Sequence, residues 1–122
     1  MKLSIGDVID RYTIAMLKNT RGGIDNHEEI WAYQEYISKY PDQQKIRDAY
    51  FELLDWNGKI WALESDIRLG KEGELGLEEV GRRALEIRNY NAERIKVKNE
   101  VNFYYQEGFE EIKINHASKL EK

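Results

Sequence analysis

Three polar residues on one face of a predicted helix give the clearest sign of chemistry in this sequence. Asn91, Arg94 and Lys98 are spaced three and four residues apart, in a stretch without Gly or Pro. The same repeat is apolar before and after them, at Val80, Ala84, Ile87, Val101 and Tyr105. At about 100° per residue these positions share an arc of roughly 80°. We therefore expect an amide, a guanidinium and an ammonium group to face the core.

A second predicted helix also carries polar residues beside its apolar stripe. These are Asn57, Trp61, Glu64 and Arg68, spaced four, three and four residues apart. They share an arc of about 60° and lie along one edge of the stripe. Asp10, on a mixed face of the first predicted helix, adds a carboxylate.

Buried charges need partners, because an unpaired charge in a protein interior is costly. The inward cations are Arg68, Arg94 and Lys98, and the carboxylates are Glu64 and Asp10. This excess of positive charge is what a bound anion would satisfy. An internal network of salt bridges and amides that fixes helix register explains the same residues without a ligand. Both interpretations stay open at this point.

The anion hypothesis predicts a non-catalytic site for a small phosphorylated ligand, above all a nucleotide, in a homo-oligomeric protein. Arg94, Lys98 and Arg68 would neutralise phosphate, and Asn91 and Asn57 would hydrogen-bond a base or ribose. Trp61 or Tyr12 would stack on a planar ring. Glu64 and Asp10 would orient the cations. No catalytic residue, metal site or cofactor is predicted.

Two other functions are compatible with the sequence. One is an interaction or scaffold module, in which the polar centre only fixes register and an aromatic-rich second helix contacts a partner. The other is a metal-dependent nucleotide pyrophosphohydrolase that uses Glu52, Asp55 and Glu64. Glu52-Leu-Leu-Asp55 resembles half of the metal site in all-α enzymes of that kind, but the matching Glu-Glu-x-x-Glu half is missing.

Composition limits the setting and the partners. The 122 residues suit one domain, 1–122, and the net charge of −4 argues against general nucleic-acid binding. There is no Cys, which fits a cytoplasmic protein of a bacterial host cell. No apolar run approaches the ~20 residues needed to cross a bilayer, so no membrane contact is expected.

The elements that position these residues are predicted to be four helices. The first is capped by Ser4 and ends at Gly22-Gly23, and the second is capped by Asp25 and ends at Pro41. The third spans about 42–69 and the fourth about 77–106, joined by a glycine-rich loop at 70–76. This pattern predicts an all-α bundle with a long helical hairpin. Residues 111–115 alternate polar and apolar, which is typical of a short strand or an extended arm.

Three stretches together resemble a group of small all-α bacterial and bacteriophage proteins of unassigned function. They are SIGDVIDRYTIAMLK (4–18), WALESDIRLGKEGELG (61–76) and NYNAERIKVKNEVN (89–102), about a third of the chain. The resemblance implies a shared polar centre at Asp10, Thr13, Trp61, Glu64, Arg68, Asn91, Arg94 and Lys98. In size, class and charge layout the chain is also similar to bacteriophage proteins that sequester nucleotide signals of bacterial immunity. This similarity in type implies an anti-defence role.

Overall fold

Four helices account for most of the residues that our computed structural model describes. It describes residues 3–68, with side chains to residue 65, and residues 76–107. The helices are α1 (Ile5–Thr20), α2 (His27–Ser38), α3 (Gln43–Arg68) and α4 (Leu77–Tyr104). The predicted all-α bundle is confirmed. The predicted strand at 111–115 and most of the predicted loop at 70–76 lie outside the described residues.

The long helices α3 and α4 pack antiparallel over their length. Tyr104, at the end of α4, donates to Asp42 just before α3. Midway, the rings of Trp56 and Tyr90 lie 5.5 Å apart between centroids. The guanidinium of Arg83, early in α4, donates to the carbonyl of Leu63 late in α3, at 3.3 Å. The predicted helical hairpin is therefore confirmed.

Helix α1 is central and is capped at its N-terminus by side chains from distant parts of the chain. Ser4 Oγ accepts from the Asp7 N–H, as predicted. In addition, the N–H of Ile5 donates to Glu107 Oε1, and the N–H of Gly6 donates to Asn102 Oδ1, both at 2.7 Å. These contacts satisfy the amides that a helix start leaves without partners, and they hold the C-terminal end of α4 against α1.

Helix α2 covers one side of α1 and buries little of its own surface. Ile37 is its only buried residue. The predicted cap at Asp25 is wrong by one residue, because Asn26 is the N-cap and makes no side-chain cap bond. The Asp25 carboxylate instead contacts the ring of His27 at 2.6 Å, while the amide of Asn26 donates to the carbonyl of Ala15 at 3.0 Å. That last bond ties the start of α2 to α1.

The core lies at one end of the hairpin. Its fully buried side chains include Ile5, Ile9, Leu53 and Val101. The C-cap of α1, Arg21, reaches the carbonyl of Gly58 on α3 at 3.1 Å. Of the described residues, none after Ile60 on α3 and none from 77 to 96 on α4 is buried. We call residues 61–68 and 77–90 the arm.

We expect Gly6→Ala to destabilise the protein by about 1–3 kcal/mol. A Cβ at Gly6 would lie 2.7 Å from both Asn102 Oδ1 and the carbonyl oxygen of Lys98, so α1 and α4 would have to separate. The matched control, for the monomer at low protein concentration, is Gly81→Ala, because a Cβ there meets nothing of its own chain within 4 Å. That control should be neutral or up to about 1 kcal/mol stabilising. Urea unfolding followed by circular dichroism measures both, and equal effects would contradict the close approach.

Candidate functional site

A buried carboxylate stands where α1, α3 and α4 meet. Asp10 is only 4% exposed. The amide of Asn57 on α3 donates to Asp10 Oδ1 at 2.8 Å and to the hydroxyl oxygen of Thr13 at 2.7 Å. The Thr13 hydroxyl in turn donates to the backbone carbonyl of Asp10 at 2.6 Å. Polar side chains of α1 and α3 therefore satisfy one another's hydrogen-bonding groups at the centre of the bundle.

Arg94 on α4 supplies the nearest positive charge. Its Nη2 donates to Asp10 Oδ2 at 3.1 Å, and its Nη1 donates to Asn91 Oδ1 at 2.8 Å. Its Nε lies 3.0 Å from Asp10 Oδ1, yet this buried N–H makes no hydrogen bond. The short distance is therefore an ionic contact with poor N–H alignment. The strength of the pair comes from the Nη2 bond and from charge attraction.

Lys98 joins a second carboxylate to the cluster. Its Nζ lies 2.9 Å from Asp7 Oδ1 and 4.0 Å from Asp10 Oδ2. Burial of Asp7 raises the pKa of its carboxyl group, but Lys98, the Ser4 hydroxyl and Arg11 together lower that pKa to below its ordinary value of 3.8, and Lys98 contributes most to the lowering. Two cations, Arg94 and Lys98, thus face two carboxylates. This described part of the polar centre is balanced in charge.

The structure brings together six of the ten predicted site residues. The six are Asp10, Thr13, Asn57, Asn91, Arg94 and Lys98. Trp61 and Glu64 are half-buried one and two turns beyond Asn57 on α3. The side chain of Arg68 lies outside the described residues. Tyr12 belongs to another surface, because two residues along a helix turn the side chain by about 200° from Asp10.

That other surface is an open groove with a volume of about 320 Å³. Its lining comes from α1, α2 and α3, and consists of Tyr12, Gln34, Ile37, Ser38, Gln43, Ile46, Arg47, Tyr50 and Phe51. Ile37 and Ile46 are buried and form the floor. Among these lining residues Arg47 alone carries a charge, and it is exposed.

Aromatic rings dominate one wall of the groove. The rings of Tyr12 and Tyr50 lie 4.9 Å apart between centroids and are tilted, and Phe51 meets Tyr50 edge-on at 5.3 Å. Phe51 is 63% exposed. The amide of Gln34 donates to the Tyr12 hydroxyl at 2.9 Å and fixes its direction. Burial, and to a lesser extent Tyr12, raises the pKa of Tyr50, so its hydroxyl stays neutral.

Sequence reasoning missed both the second carboxylate and most of the groove. Asp7 lies in the first turn of α1, and its spacing of three from Asp10 on a helix was the available signal. Arg47, Tyr50 and Phe51 lie beside the predicted stripe of α3, where exposure is the ordinary expectation. Only the packing of α2 over α1 and α3 turns this surface into a groove.

The hydrolase alternative gains no site from the geometry. Glu52 and Asp55 are exposed on α3, and Asp55 pairs with Lys59 at 3.1 Å. Within residues 3–65 and 76–107, no group of three or more His, Asp or Glu residues is arranged to hold a metal ion. In the same part of the chain, no helix is long and apolar enough to cross a membrane.

The fold and its polar centre define an all-α helical bundle with a buried ionic cluster. No protein-family model matches the chain, and no curated protein or solved structure matches it either. The resemblance to small bacterial and bacteriophage proteins therefore stays a prediction.

We expect Asp10→Asn to cost about 3–5 kcal/mol of unfolding free energy. The substitution keeps the size of the side chain but removes the charge that Arg94 and Lys98 share. Urea unfolding at neutral pH measures the loss. The control is Asp55→Asn, whose exposed pair with Lys59 should contribute less than about 1 kcal/mol. Equal losses in the two variants would contradict the central role of Asp10.

The Asp7–Lys98 pair predicts a specific dependence of stability on pH. Because the pKa of Asp7 is lowered on folding, the pair stabilises the protein above the ordinary carboxyl pKa, and this contribution disappears as pH falls through the lowered pKa. The free-energy difference between the wild type and Asp7→Asn should therefore be constant at neutral pH and shrink below about pH 4. Denaturant unfolding across that range measures it. A difference that does not change with pH would contradict the assignment.

Proposed function

We propose that the protein binds a small phosphorylated ligand, above all a nucleotide, without transforming it, and that the groove between α1, α2 and α3 receives it. The observation that supports this proposal is one open concavity that combines three aromatic rings with a guanidinium group. Its volume of about 320 Å³ falls at the lower end of the range for small-molecule sites.

The aromatic wall fits the planar part of such a ligand. Phe51 offers an exposed ring, and the neighbouring Tyr50 and Tyr12 rings provide further apolar surface above a floor of Ile37 and Ile46. Stacking of a base on an aromatic side chain is worth about 1–3 kcal/mol and depends little on which base it is. The wall therefore selects a planar ring system rather than one particular base.

Arg47 fits the anionic part. Its guanidinium contacts the side-chain oxygen of Gln44 at 3.0 Å, one turn back on α3, which keeps it at the rim of the groove. Guanidinium groups bind phosphate through two parallel hydrogen bonds. A phosphate there would meet a positive charge that the described structure does not pair with a carboxylate. The Gln44 amide in turn donates to Asp48 Oδ1 at 2.8 Å, so a carboxylate is linked to Arg47 only through this amide.

The polar centre is a weaker candidate for the same ligand. Arg94 and Lys98 already contact Asp10 and Asp7, so a phosphate would have to displace a carboxylate from each. The α1 N-terminus is also occupied, by Ser4, Asn102 and Glu107. We therefore place the ligand in the groove and assign the polar centre to helix register. Sequestration of a bacterial immune signal is the biological use that the sequence resemblance implies, and it rests on that resemblance.

The test is calorimetric titration with mononucleotides, cyclic di- and trinucleotides and ADP-ribose derivatives. We expect at least one of them to bind and to be recovered intact. Arg47→Ala should weaken binding about tenfold or more, which corresponds to the loss of one charge-assisted hydrogen bond. Lys18→Ala is the control, because it removes an exposed cation at the far end of α1. Both residues are exposed, so both variants should fold.

Three outcomes would overturn the proposal. Binding that survives Arg47→Ala but is lost in Lys98→Gln would return the ligand to the polar centre. Consumption of the ligand would replace binding with catalysis. No binding by any compound would favour the second candidate, an interaction module.

The interaction module is favoured by one observation beside the groove. Trp31 is 63% exposed, and helical spacing places it on the same face of α2 as Gln34 and Ser38, which line the groove. Exposed tryptophan at the edge of an apolar groove is typical of a protein-binding surface. In that case an apolar side chain of a partner protein would occupy the space assigned above to a base.

A further inference from the structure

One face of α4 exposes an unusual share of large apolar side chains. Eight large hydrophobic residues of the described chain are exposed, and four of them lie on this face. They are Leu77 at 91%, Leu85 at 59%, Ile95 at 52% and Phe103 at 70% exposure. The whole α4 outer face consists of Leu77, Gly81, Leu85, Arg88, Ala92, Ile95, Asn99 and Phe103, all exposed and within an arc of about 80°. A helix face that is apolar over most of its length, with four large hydrophobic side chains, marks a surface that packs.

The position of the arm beyond the buried core is the reason why apolar residues on this face would pack against a partner. Arg21, at the end of α1, contacts α3 at Gly58. Among the described residues of α3, Ile60 is the last one whose side chain is buried. On α4, burial begins only at Val97. Two helices alone bury too little apolar surface to be stable far from a core. The first half of the α4 outer face belongs to this arm, while the second half lies on the body of the bundle.

The spacing of the α4 outer face is the same in both directions along the helix. Its residues lie 4, 4, 3, 4, 3, 4 and 4 positions apart, symmetric about residue 90. When a second α4 helix is laid antiparallel on the first, Leu77 of one copy lies opposite Phe103 of the other, and Leu85 lies opposite Ile95. This arrangement also places the small Gly81 opposite Asn99, and Arg88 opposite Ala92. A twofold interface requires this kind of self-complementary patch, in which residue i meets j and j meets i.

We propose that a second copy of this chain covers the α4 outer face, with the two α4 helices antiparallel about a twofold axis near residue 90. Leu85 then packs against Ile95 of the partner subunit, and Leu77 packs against Phe103 of the partner subunit. The arm of each copy lies along the body of the other, so each body completes the core that the arm lacks. The contact extends over about 26 residues, or roughly 39 Å of helix.

Arg88 is the one charged residue on the face, and the register brings it close to its own copy near the axis. Its long aliphatic stem can cover apolar surface while the guanidinium reaches solvent. The two like charges nevertheless oppose association. We therefore expect Arg88→Leu to strengthen the dimer, a gain that no monomeric role of this exposed residue predicts.

The first experiment is sedimentation velocity over a range of protein concentrations. We expect a species of twice the 14.5 kDa chain mass. Ile95→Glu should shift it to monomer with unchanged helical circular dichroism, and Arg88→Leu should lower the dimer dissociation constant. Phe51→Glu is the control, since Phe51 is equally exposed but lies in the groove on α3. A wild type that stays monomeric at every concentration, or a dimer broken only by Phe51→Glu, would overturn the proposal.

The second experiment tests the register. The chain has no Cys, so engineered cysteines report only on their own contacts. Leu85→Cys mixed with Ile95→Cys should form a disulfide between chains under mild oxidation. Leu85→Cys alone should not, because the two copies of residue 85 lie about 15 Å apart along the axis. Equal cross-linking of the single variant with itself would contradict the antiparallel register.

Discussion

The buried carboxylate of Asp10 is the constraint on which the rest of the structure depends. A charge this deeply buried costs several kcal/mol unless opposite charge and hydrogen bonds reach it. Asn57 on α3 supplies a hydrogen bond, and Arg94 on α4 supplies both a hydrogen bond and the opposite charge. Apolar stripes alone tolerate a shift of one helix along another, since Ile, Leu and Val fill similar holes. The Asp10 contacts do not tolerate such a shift, because the amide and guanidinium would then miss the carboxylate. The polar centre therefore determines how α1 sits against the hairpin.

The same cluster makes the polar centre a weaker candidate for the ligand site than the groove. Its two described cations are matched by Asp10 and Asp7, and the exposed edge near Lys98 is shared with Asp7. A ligand anion gains little where carboxylates already hold the cations at about 3 Å. Surfaces that the core does not use are better placed for function. The groove and the α4 outer face both depart from an ordinary polar surface.

Sequence patterns predicted the helices well and their contacts poorly. Stripes of period 3.6, the Ser4 cap and Pro41 gave helix ends within two residues of those observed. Inward orientation of Asn91, Arg94 and Lys98 also followed from periodicity. Their partners did not, because a repeat shows which face is buried but not which face of another helix meets it. For the two described cations, Arg94 and Lys98, the excess disappears because α1 contributes Asp7 as well as Asp10.

Polar contacts between residues far apart in sequence could not be predicted either, because periodicity does not show which helix faces meet. The N-terminus of α1 is capped by Asn102 and Glu107. They accept hydrogen bonds from the N–H groups of Gly6 and Ile5, which lie 96 and 102 residues away in sequence. Gly6 carried a hint, since glycine inside a helix often marks a close approach of another backbone. Tyr12 was predicted to stack on a ligand of the polar centre, but helical geometry turns its side chain away from Asp10. The groove needed the packing of α2 over α3, and no short-range pattern encodes that.

The two proposed surfaces lie on different helices and solve different physical problems. The groove draws on α1, α2 and α3 and is formed within one chain, so ligand binding there requires no second copy. The first half of the α4 outer face, with Leu77 and Leu85, lies on the arm, where none of the described residues is buried. Shortening the arm would remove the need for a partner without touching the groove. The exposed Leu77 and Leu85 therefore belong to the proposed contact between copies, which is independent of what the groove binds.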